Sequence, residues 1–454
     1  MERRGGFKGE PDKEKNMART TFAAIAAFAA VGLTLAGCAG GGTTEPTDDG
    51  TAGEVSGEVT FVTWRTDLVQ DGTFDAYAEK FTEMYPDASV TFEGITDYEG
   101  EMTTRLSTTN YGDVLGIPNS VFPDQFADYF EPIGETADLA DTYRFLSPKS
   151  FEGVQYGLAL GGNANGVLYN KDVFEAAGIT ALPTTEDEWL DALGMIKDKT
   201  DAIPYYTNYK DGWPLSQWSS NIGAITGDPD AQNAMTSDDA PWTEGTDIYA
   251  IDSLIYETVA AGLTEEDPLT TNWEQSKVDF ATGKIATMAL GSWAISQMQA
   301  AATDNGVDPS VVGYMAFPAT AGSSQFATVG GDYSLGINKN SDVKAAAKAW
   351  IDFLLEESGF TETQGMVSAL IADPLPENLG GLSDAGVELL EMNPAPAGEE
   401  ALFNNIANTA QIDIWGAIYR QKLVDIARGA ADGDKASYFD DLNTRWADAI
   451  AQNG

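Results

Sequence analysis

Short apolar segments alternate with amphipathic ones from position 58 onward, and this alternation limits the folds that the chain can adopt. Glu58–Thr63 is rich in β-branched and aromatic residues and predicts a strand. From Thr73, apolar residues recur at helical spacing until Pro86. Two more strands are predicted over Ala88–Phe92 and Asp113–Ile117, with a helix between them. Strands and helices that alternate at this spacing predict an α/β fold with a largely parallel sheet covered on both faces.

Three polar or aromatic residues, Trp64, Arg65 and Asp67, directly follow the first predicted strand. Ligands of open parallel sheets bind beyond the carboxyl ends of the strands. Arg65 stands out further because only six arginines follow position 38. We therefore predict that this loop contributes to a binding site. The alternative for Arg65 is an ion pair on the surface.

A second informative stretch runs from Tyr156 to Trp189. Its Gly- and Asn-rich run, Gly161–Gly166, suits a backbone that bends and approaches another group closely. The next residues, Val167–Tyr169, predict a strand, and Asp172–Ala177 predicts a short helix before a glycine. A capping box then marks the start of another helix, whose inner face includes Trp189.

The order of these elements resembles the crossing between the two lobes in family 1 extracellular solute-binding proteins. These proteins, the maltose-binding group among them, are the substrate receptors of ABC importers. Gly283–Trp293 is also similar to a Gly-Lys…Ala-Met…Gly-x-Trp segment of that family. The resemblance covers roughly residues 55–450. It implies a periplasmic-binding-protein-like fold, in which two lobes, each a mainly parallel sheet flanked by helices, are hinged at a central cleft.

The resemblance also implies a division of the chain. The expected parts are a signal peptide with a lipobox, a flexible tether, a first lobe built from two segments and a second lobe built from two segments. Their approximate bounds are 1–38 for the signal, 39–54 for the tether, 55–160 plus 318–372 for the first lobe, and 161–317 plus 373–454 for the second.

The N-terminal segment predicts export. Thr20–Leu35 is apolar and shorter than the roughly 20 residues that a spanning helix needs, which is typical of a secretory signal. It ends in Leu-Ala-Gly-Cys, which resembles the bacterial lipobox and implies that Cys38 carries a lipid on the extracytoplasmic face of the cell membrane. The alternative is a plain secretory signal with an incidental cysteine. Ala39–Glu54 lacks apolar periodicity and predicts the tether.

Composition excludes several function classes. The chain has no histidine and one cysteine, which removes Ser-His-Asp and Cys-His nucleophilic sites and the usual zinc ligands. For the same reason we expect no metal. The chain has no phosphate-binding glycine motif, so we expect no nucleotide cofactor. A formal net charge of −46 repels nucleic acid and anionic lipid headgroups. The many carboxylates leave a glycosidase pair open.

A sugar site needs aromatic rings for the apolar faces of pyranoses and polar groups for their hydroxyls. Ten tryptophans and 17 tyrosines suit this demand. Trp293 follows Gly-Ser at the end of an apolar strand and matches a ligand-stacking position of the family. Trp64 and Trp415 match other site regions, and Trp218 is a further candidate. Trp189 and Trp350, at helical spacing with apolar neighbours, are assigned to the core.

The resemblance implies three more polar site residues. Asp113 matches an acid near the cleft, and its alternative is a loop cap. Asn163 matches a position that binds sugar hydroxyls, although relatives place an acid there. Asp332 follows two glycines at the return crossing, and its alternative is a turn residue.

The sequence therefore predicts a monomeric, lipid-anchored receptor that binds a carbohydrate, performs no catalysis and delivers its ligand to an ABC import permease. Two alternatives stay open. A polyamine receptor of the same fold predicts several acids in the cleft, boxed by aromatic rings. A secreted carbohydrate-active enzyme predicts two cleft carboxylates about 5–10 Å apart.

Overall fold

The computed structural model describes residues 53–96, 98–319 and 324–453. The predicted signal segment with Cys38, and most of the predicted tether, lie outside these residues. The strands are β1 Gly57–Thr63, β2 Ala88–Gly94, β3 Val114–Gly116, β4 Gly134–Glu135, β5 Ser150–Phe151, β6 Val154–Gln155, β7 Leu158–Ala159, β8 Gly162–Asn170, β9 Ile203–Tyr205, β10 Ile285–Gly291, β11 Val312–Met315, β12 Phe326–Gly331, β13 Ser334–Ile337 and β14 Glu388–Glu391.

The helices alternate with these strands through most of the chain. They are α1 Thr66–Gln70, α2 Thr73–Met84, α3 Tyr98–Arg105, α4 Phe126–Tyr129, α5 Thr136–Leu139, α6 Lys171–Ala177, α7 Glu186–Lys199, α8 Trp213–Ser216, α9 Ala231–Ala234, α10 Asp247–Ala260, α11 Trp273–Ala281, α12 Ala294–Asp304, α13 Lys344–Asp352, α14 Phe360–Gln364, α15 Gly380–Asp384, α16 Leu402–Ala410, α17 Ile418–Ala427 and α18 Lys435–Asn453. None of the described helices combines the length and the apolar character that crossing a membrane requires.

The first sheet has the strand order β2-β1-β3-β13-β7. Strand β1 runs parallel to β2 and β3, as the alternation of strands and helices predicts. Strand β13 arrives from much later in the chain and runs antiparallel to β3 and β7. Helix α2 covers this sheet through one helical face, on which Phe74 packs against Phe61 of β1 and Phe81 packs against the buried ring of Trp350 in α13. The core assignment of Trp350 is confirmed.

The second sheet is organised around β8, the nine-residue strand Gly162–Asn170. It pairs antiparallel with β10, β11 and β12, and the sheet order is β14-β12-β8-β10-β9. Residues 162–166 of the Gly- and Asn-rich run therefore lie within a strand. The predicted close approach is confirmed, because a Cβ on Gly166 would lie 2.3 Å from the carbonyl oxygen of Met315.

Helix α7 packs against this second sheet and begins as its sequence predicts. The Thr185 hydroxyl accepts a hydrogen bond from Glu188 N at 3.3 Å, and the Glu188 carboxylate accepts one from Thr184 N at 2.8 Å. On the inner face of the helix, Trp189 is 1% exposed and donates from Nε1 to Thr258 Oγ1 at 2.9 Å. Its assignment to the core is confirmed.

The chain passes between the sheets at adjacent places. It leaves the first sheet after β7 and enters the second at Gly162, and it returns between Gly331 of β12 and Ser334 of β13. The sequence predicts this return near Pro318, and β12, which follows that position, pairs with β8. Phe145 packs against both passages, since a Cβ on Gly162 or Gly331 would lie 2.4 or 2.8 Å from its side chain. Glycine is therefore required at both positions.

Candidate functional site

A cleft of about 2320 Å³ is lined by loops that follow strands of both sheets. It brings together most of the residues predicted from the sequence. Those that line it are Trp64, Arg65, Asp67, Asn163, Trp293, Asp332 and Trp415.

Two predicted site residues lie elsewhere. Asp113 is a loop cap, because its carboxylate accepts hydrogen bonds from Thr60 N at 2.9 Å and from the Ser341 hydroxyl at 2.6 Å. Trp218 is 1% exposed and donates from Nε1 to the Tyr205 hydroxyl at 2.8 Å. Its neighbours in the chain line the cleft, but the Trp218 ring itself packs inside the second core. The structure thus places both residues away from the cleft.

The floor of the cleft carries a polar pair at the passage between the sheets. Asn163 donates from Nδ2 to Asp332 Oδ2 at 3.3 Å, and Tyr333 N donates to Asp332 Oδ1 at 2.7 Å. The Ser292 hydroxyl lies 3.5 Å from Asn163 Oδ1 and accepts a hydrogen bond from Ala164 N at 3.0 Å. Burial raises the pKa of Asp332 despite these two donors. The carboxylate is therefore suited to accept further hydrogen bonds from a ligand.

The raised pKa of Asp332 leads to a prediction about stability. The folded protein disfavours the charged form of the Asp332 carboxyl group. The free energy of unfolding therefore falls as the pH rises from the pKa of this group in the unfolded chain to its raised pKa in the folded protein. We expect Asp332→Asn to raise the melting temperature at pH 7 and to weaken ligand binding. The gain in melting temperature should shrink as pH falls toward the unfolded pKa, about 3.9.

Asp67 provides a control of opposite sign for that experiment. Burial raises its pKa, but the hydrogen bond and charge of Arg65 outweigh burial, so that the net shift is downward. Asp67 therefore stabilises the fold at pH values above its pKa in the unfolded chain. This stabilisation is lost as the pH falls through its lower pKa in the folded protein. Asp67→Asn should lower the melting temperature slightly at pH 7. Equal shifts in the same direction for both variants would contradict the assignment of Asp332 as a destabilised carboxylate.

The wall on the side of the first sheet combines an aromatic pair with an ion pair. The ring centres of Trp64 and Tyr333 are 4.3 Å apart, and a Cβ on Gly116 would lie 2.5 Å from the Trp64 ring. Arg65 donates from Nη2 to Asp67 Oδ2 at 2.7 Å and to Gln364 Oε1 at 2.8 Å. Arg65 thus forms an ion pair, which was the alternative to a binding role, and it also lines the cleft.

The wall on the side of the second sheet is dominated by tryptophan. Trp293 lies between β10 and α12, and its ring covers Gly291, where a Cβ would lie 2.6 Å from ring atoms. Its ring centre is 5.8 Å from that of Trp213 and 5.9 Å from that of Trp273. We call these three residues the tryptophan cluster. Trp415 also lines the cleft, and it is 46% exposed.

The tryptophan cluster is not predicted as a unit, because no local pattern in the sequence joins Trp213 and Trp273 to Trp293. Tyr333 and Gln364 were missed for the same reason, since each reaches the first wall from a distant part of the chain.

The cleft is suited to binding through stacking and hydrogen bonds. Its walls offer aromatic rings, and its floor offers an amide and a carboxylate. Within residues 53–96, 98–319 and 324–453, no group of three or more acidic or cysteine side chains is placed to hold a metal ion.

The model of the bacterial extracellular solute-binding protein family matches residues 66–359. The diacetylchitobiose binding protein DasA of Streptomyces coelicolor is 27% identical over 376 residues, which are 77% of this chain and 82% of DasA.

Two solved structures from Bifidobacterium animalis subsp. lactis are also similar. BlMnBP1, an ABC transporter binding protein in complex with mannobiose, is 35% identical, with a TM-score of 0.79 and coverage of 89% of this chain and 97% of that one. BlMnBP2, described as manno-oligosaccharide specific and in complex with mannotriose, is 34% identical, with a TM-score of 0.79 and coverage of 89% and 96%. This chain therefore belongs to the bacterial extracellular solute-binding protein family and has its periplasmic-binding-protein-like α/β fold.

Proposed function

We propose that this protein captures an oligosaccharide in the cleft and delivers it to an ABC import permease. The observation that carries the proposal is that the cleft holds the ring of Trp293 on one wall and the Asn163–Asp332 pair on its floor. Rings bind the apolar faces of a sugar, and the amide and carboxylate bind its hydroxyls. The mannobiose and mannotriose of the similar structures are the first ligands to test.

Nine acidic and three basic side chains line the cleft, so its overall charge does not separate a sugar from a polyamine. Arg65 lies beside the floor of the cleft and opposes a cationic ligand there. The saccharide complexes of the similar proteins support a sugar. The similar proteins are solute-binding proteins, so we propose a receptor that works by closure of its lobes around the ligand, without catalysis. The lobe boundaries given from the sequence remain predictions.

Calorimetric titration tests this function. Mannobiose, mannotriose, diacetylchitobiose and spermidine should be titrated separately into the soluble domain, residues 55–454. We expect saturable binding of at least one saccharide, and a saccharide at 100 times its dissociation constant should stabilise the fold by about 2.7 kcal/mol. The saturated sample should also show a smaller radius of gyration in X-ray scattering. Binding of spermidine without binding of any saccharide would overturn the proposal.

We further propose that Cys38 carries the lipid that anchors a monomeric receptor outside the cytoplasm. The resemblance of Leu35–Cys38 to a lipobox supports this anchor. In the native host, Cys38→Ser should leave the protein released or unprocessed, because no thiol remains for lipid attachment. The soluble domain begins after this position, so its affinity serves as the unchanged control. Retention of mature-sized protein in the membrane fraction would contradict the anchor.

A further inference from the structure

Glu99 holds two residues of the cleft wall from behind. It lies in the first turn of α3 and is half-buried. Its Oε1 accepts hydrogen bonds from the Tyr333 hydroxyl and from Asn119 Nδ2, the second at 3.1 Å. Its Oε2 accepts a further bond from Asn119 N at 3.1 Å. Tyr333 and Asn119 line the cleft, whereas Glu99 is not among the lining residues.

The first of these partners belongs to an aromatic group on the wall beside the first sheet. The ring centre of Tyr333 is 4.3 Å from that of Trp64 and 5.6 Å from that of Tyr98. Trp64 packs over Gly116 of β3, and the Tyr98 hydroxyl donates to Gly116 O at 2.8 Å, so the sheet itself fixes both of these rings. The bond to Glu99 fixes the third ring at its hydroxyl end and thereby keeps it against Trp64.

Tyr333 also connects this wall to the floor of the cleft. It lies in the passage between β12 of the second sheet and β13 of the first. Its backbone N donates to Asp332 Oδ1 at 2.7 Å, and Asp332 is the acid of the floor. A rotation of Tyr333 would therefore displace an aromatic surface and a polar group together.

The second partner of Glu99 is part of an exposed loop. Asn119 follows β3, and its loop continues into Val121 and Phe122, which also line the cleft. One carboxylate binds both the main-chain N and the side-chain Nδ2 of Asn119. Because this contact already orders the loop, less free energy is lost when a ligand binds against it.

We propose that Glu99 is a positioning residue of the cleft, which fixes Tyr333 and the Asn119 loop in the geometry that binds ligand. Groups that contact a ligand are held in place by hydrogen bonds from residues behind them, and Glu99 has that relation to two separate parts of the wall. This inference rests on the proposed function and deepens it. The competing explanation is that Glu99 only stabilises the start of α3, as an acid in the first turn of a helix does.

Affinity and melting temperature, measured on the same variants, separate the two explanations. Mannotriose and diacetylchitobiose should be titrated into the wild-type soluble domain and into Glu99→Ala and Glu99→Gln. We expect Glu99→Ala to weaken binding about tenfold, because Tyr333 and Asn119 both lose their acceptor. Glu99→Gln keeps an acceptor oxygen and should bind within about threefold of the wild type. An equal loss in both variants would indicate an effect of charge and would overturn the positioning role.

Glu101 provides the matched control. It is also an acid of the first turn of α3, and it accepts a hydrogen bond from Arg105 Nε at 2.9 Å on the same helix. Glu101→Ala should change affinity less than about twofold, since it stabilises the helix without contact to Tyr333 or Asn119. A loss equal to that of Glu99→Ala would support the purely helical role and overturn the proposal.

Tyr333→Phe tests the hydrogen bond from its other end and remains informative if Glu99→Ala fails to fold. It keeps the ring, removes the hydroxyl and should weaken binding about threefold. In the Tyr333→Phe background, a change of Glu99 to Ala should cost less affinity than in the wild type, because the shared bond is already absent. Unchanged affinity in Tyr333→Phe, or strictly additive losses, would overturn the inference.

A spectroscopic measurement makes the result independent of any ligand. Tyrosine isotopically labelled at Cζ reports the hydrogen bonding of each hydroxyl by nuclear magnetic resonance, and Tyr333→Phe assigns the Tyr333 signal. We expect this signal to shift in Glu99→Ala and to stay in place in Glu101→Ala; an unmoved signal in Glu99→Ala would overturn the inference. A wild type that binds neither saccharide would overturn the proposed function, and the signal would still decide whether Glu99 fixes Tyr333.

Discussion

Replacement of Arg420 by methionine is expected to lower the free energy of unfolding by about 3–5 kcal/mol. Arg420 of α17 and Asp252 of α10 form an ion pair in which both side chains are fully buried, with Nε 2.8 Å from Oδ1. Methionine fills much of the space but leaves the Asp252 carboxylate buried without its cation. Because desolvation of an unpaired charge costs far more than the net value of the pair, the loss should be large. Urea unfolding measures it.

The hydrogen bonds of the pair define a sharp control. Asp252 Oδ2 accepts from Trp242 Nε1 at 2.8 Å, and an asparagine at this position retains an acceptor for that bond. The double variant Arg420→Met with Asp252→Asn removes both charges and should recover at least half of the lost stability. A loss of less than about 1 kcal/mol in the single variant would show that the pair is not truly desolvated.

The buried pair also supports the cleft. Arg420 Nη1 donates to the Ser219 hydroxyl at 2.7 Å, and that hydroxyl donates to the carbonyl of Ile414, the residue before Trp415. Ser219 and Trp415 both line the cleft. We therefore expect the single variant to bind ligand more weakly as well, because the wall that carries Trp415 loses its support.

Trp293→Ala is expected to weaken saccharide binding at least tenfold, which corresponds to about 1.4 kcal/mol. The stacked ring contributes about 0.5–1.5 kcal/mol of aromatic contact in addition to its buried apolar area. Trp293 is only half-buried, so the loss of stability should be smaller than for a core tryptophan. Calorimetric affinity and melting temperature, measured on the same variant, separate the two effects.

Two further variants make this test specific. Trp350→Ala removes a fully buried ring and should cost about 3–5 kcal/mol of stability without a direct effect on the cleft. Gly291→Ala keeps the indole but introduces a Cβ 2.6 Å from its ring atoms, and it should weaken binding by displacing Trp293. Unchanged affinity together with a collapsed melting temperature in Trp293→Ala would make this residue structural.

Local patterns in the sequence were sufficient for much of the fold. The first strand, helix α2 and the capped start of α7 are formed where their sequences predict them. The core roles of Trp189 and Trp350 also followed from helical spacing. Each of these features depends on residues within a few turns of one another, and nearby residues interact in nearly the same way in any compact fold.

The sequence by itself thus determined the α/β class, the family resemblance and the loops beside the cleft. Tertiary structure alone decided that residues 162–166 lie in β8, that Trp218 is buried and that Asp113 caps a loop. It also joined Trp213 and Trp273 to Trp293. The physical reason is that strand pairing and side-chain exposure depend on partners far away in the chain: Thr328 bonds to Asn165, 163 residues earlier, and no local periodicity encodes such a contact.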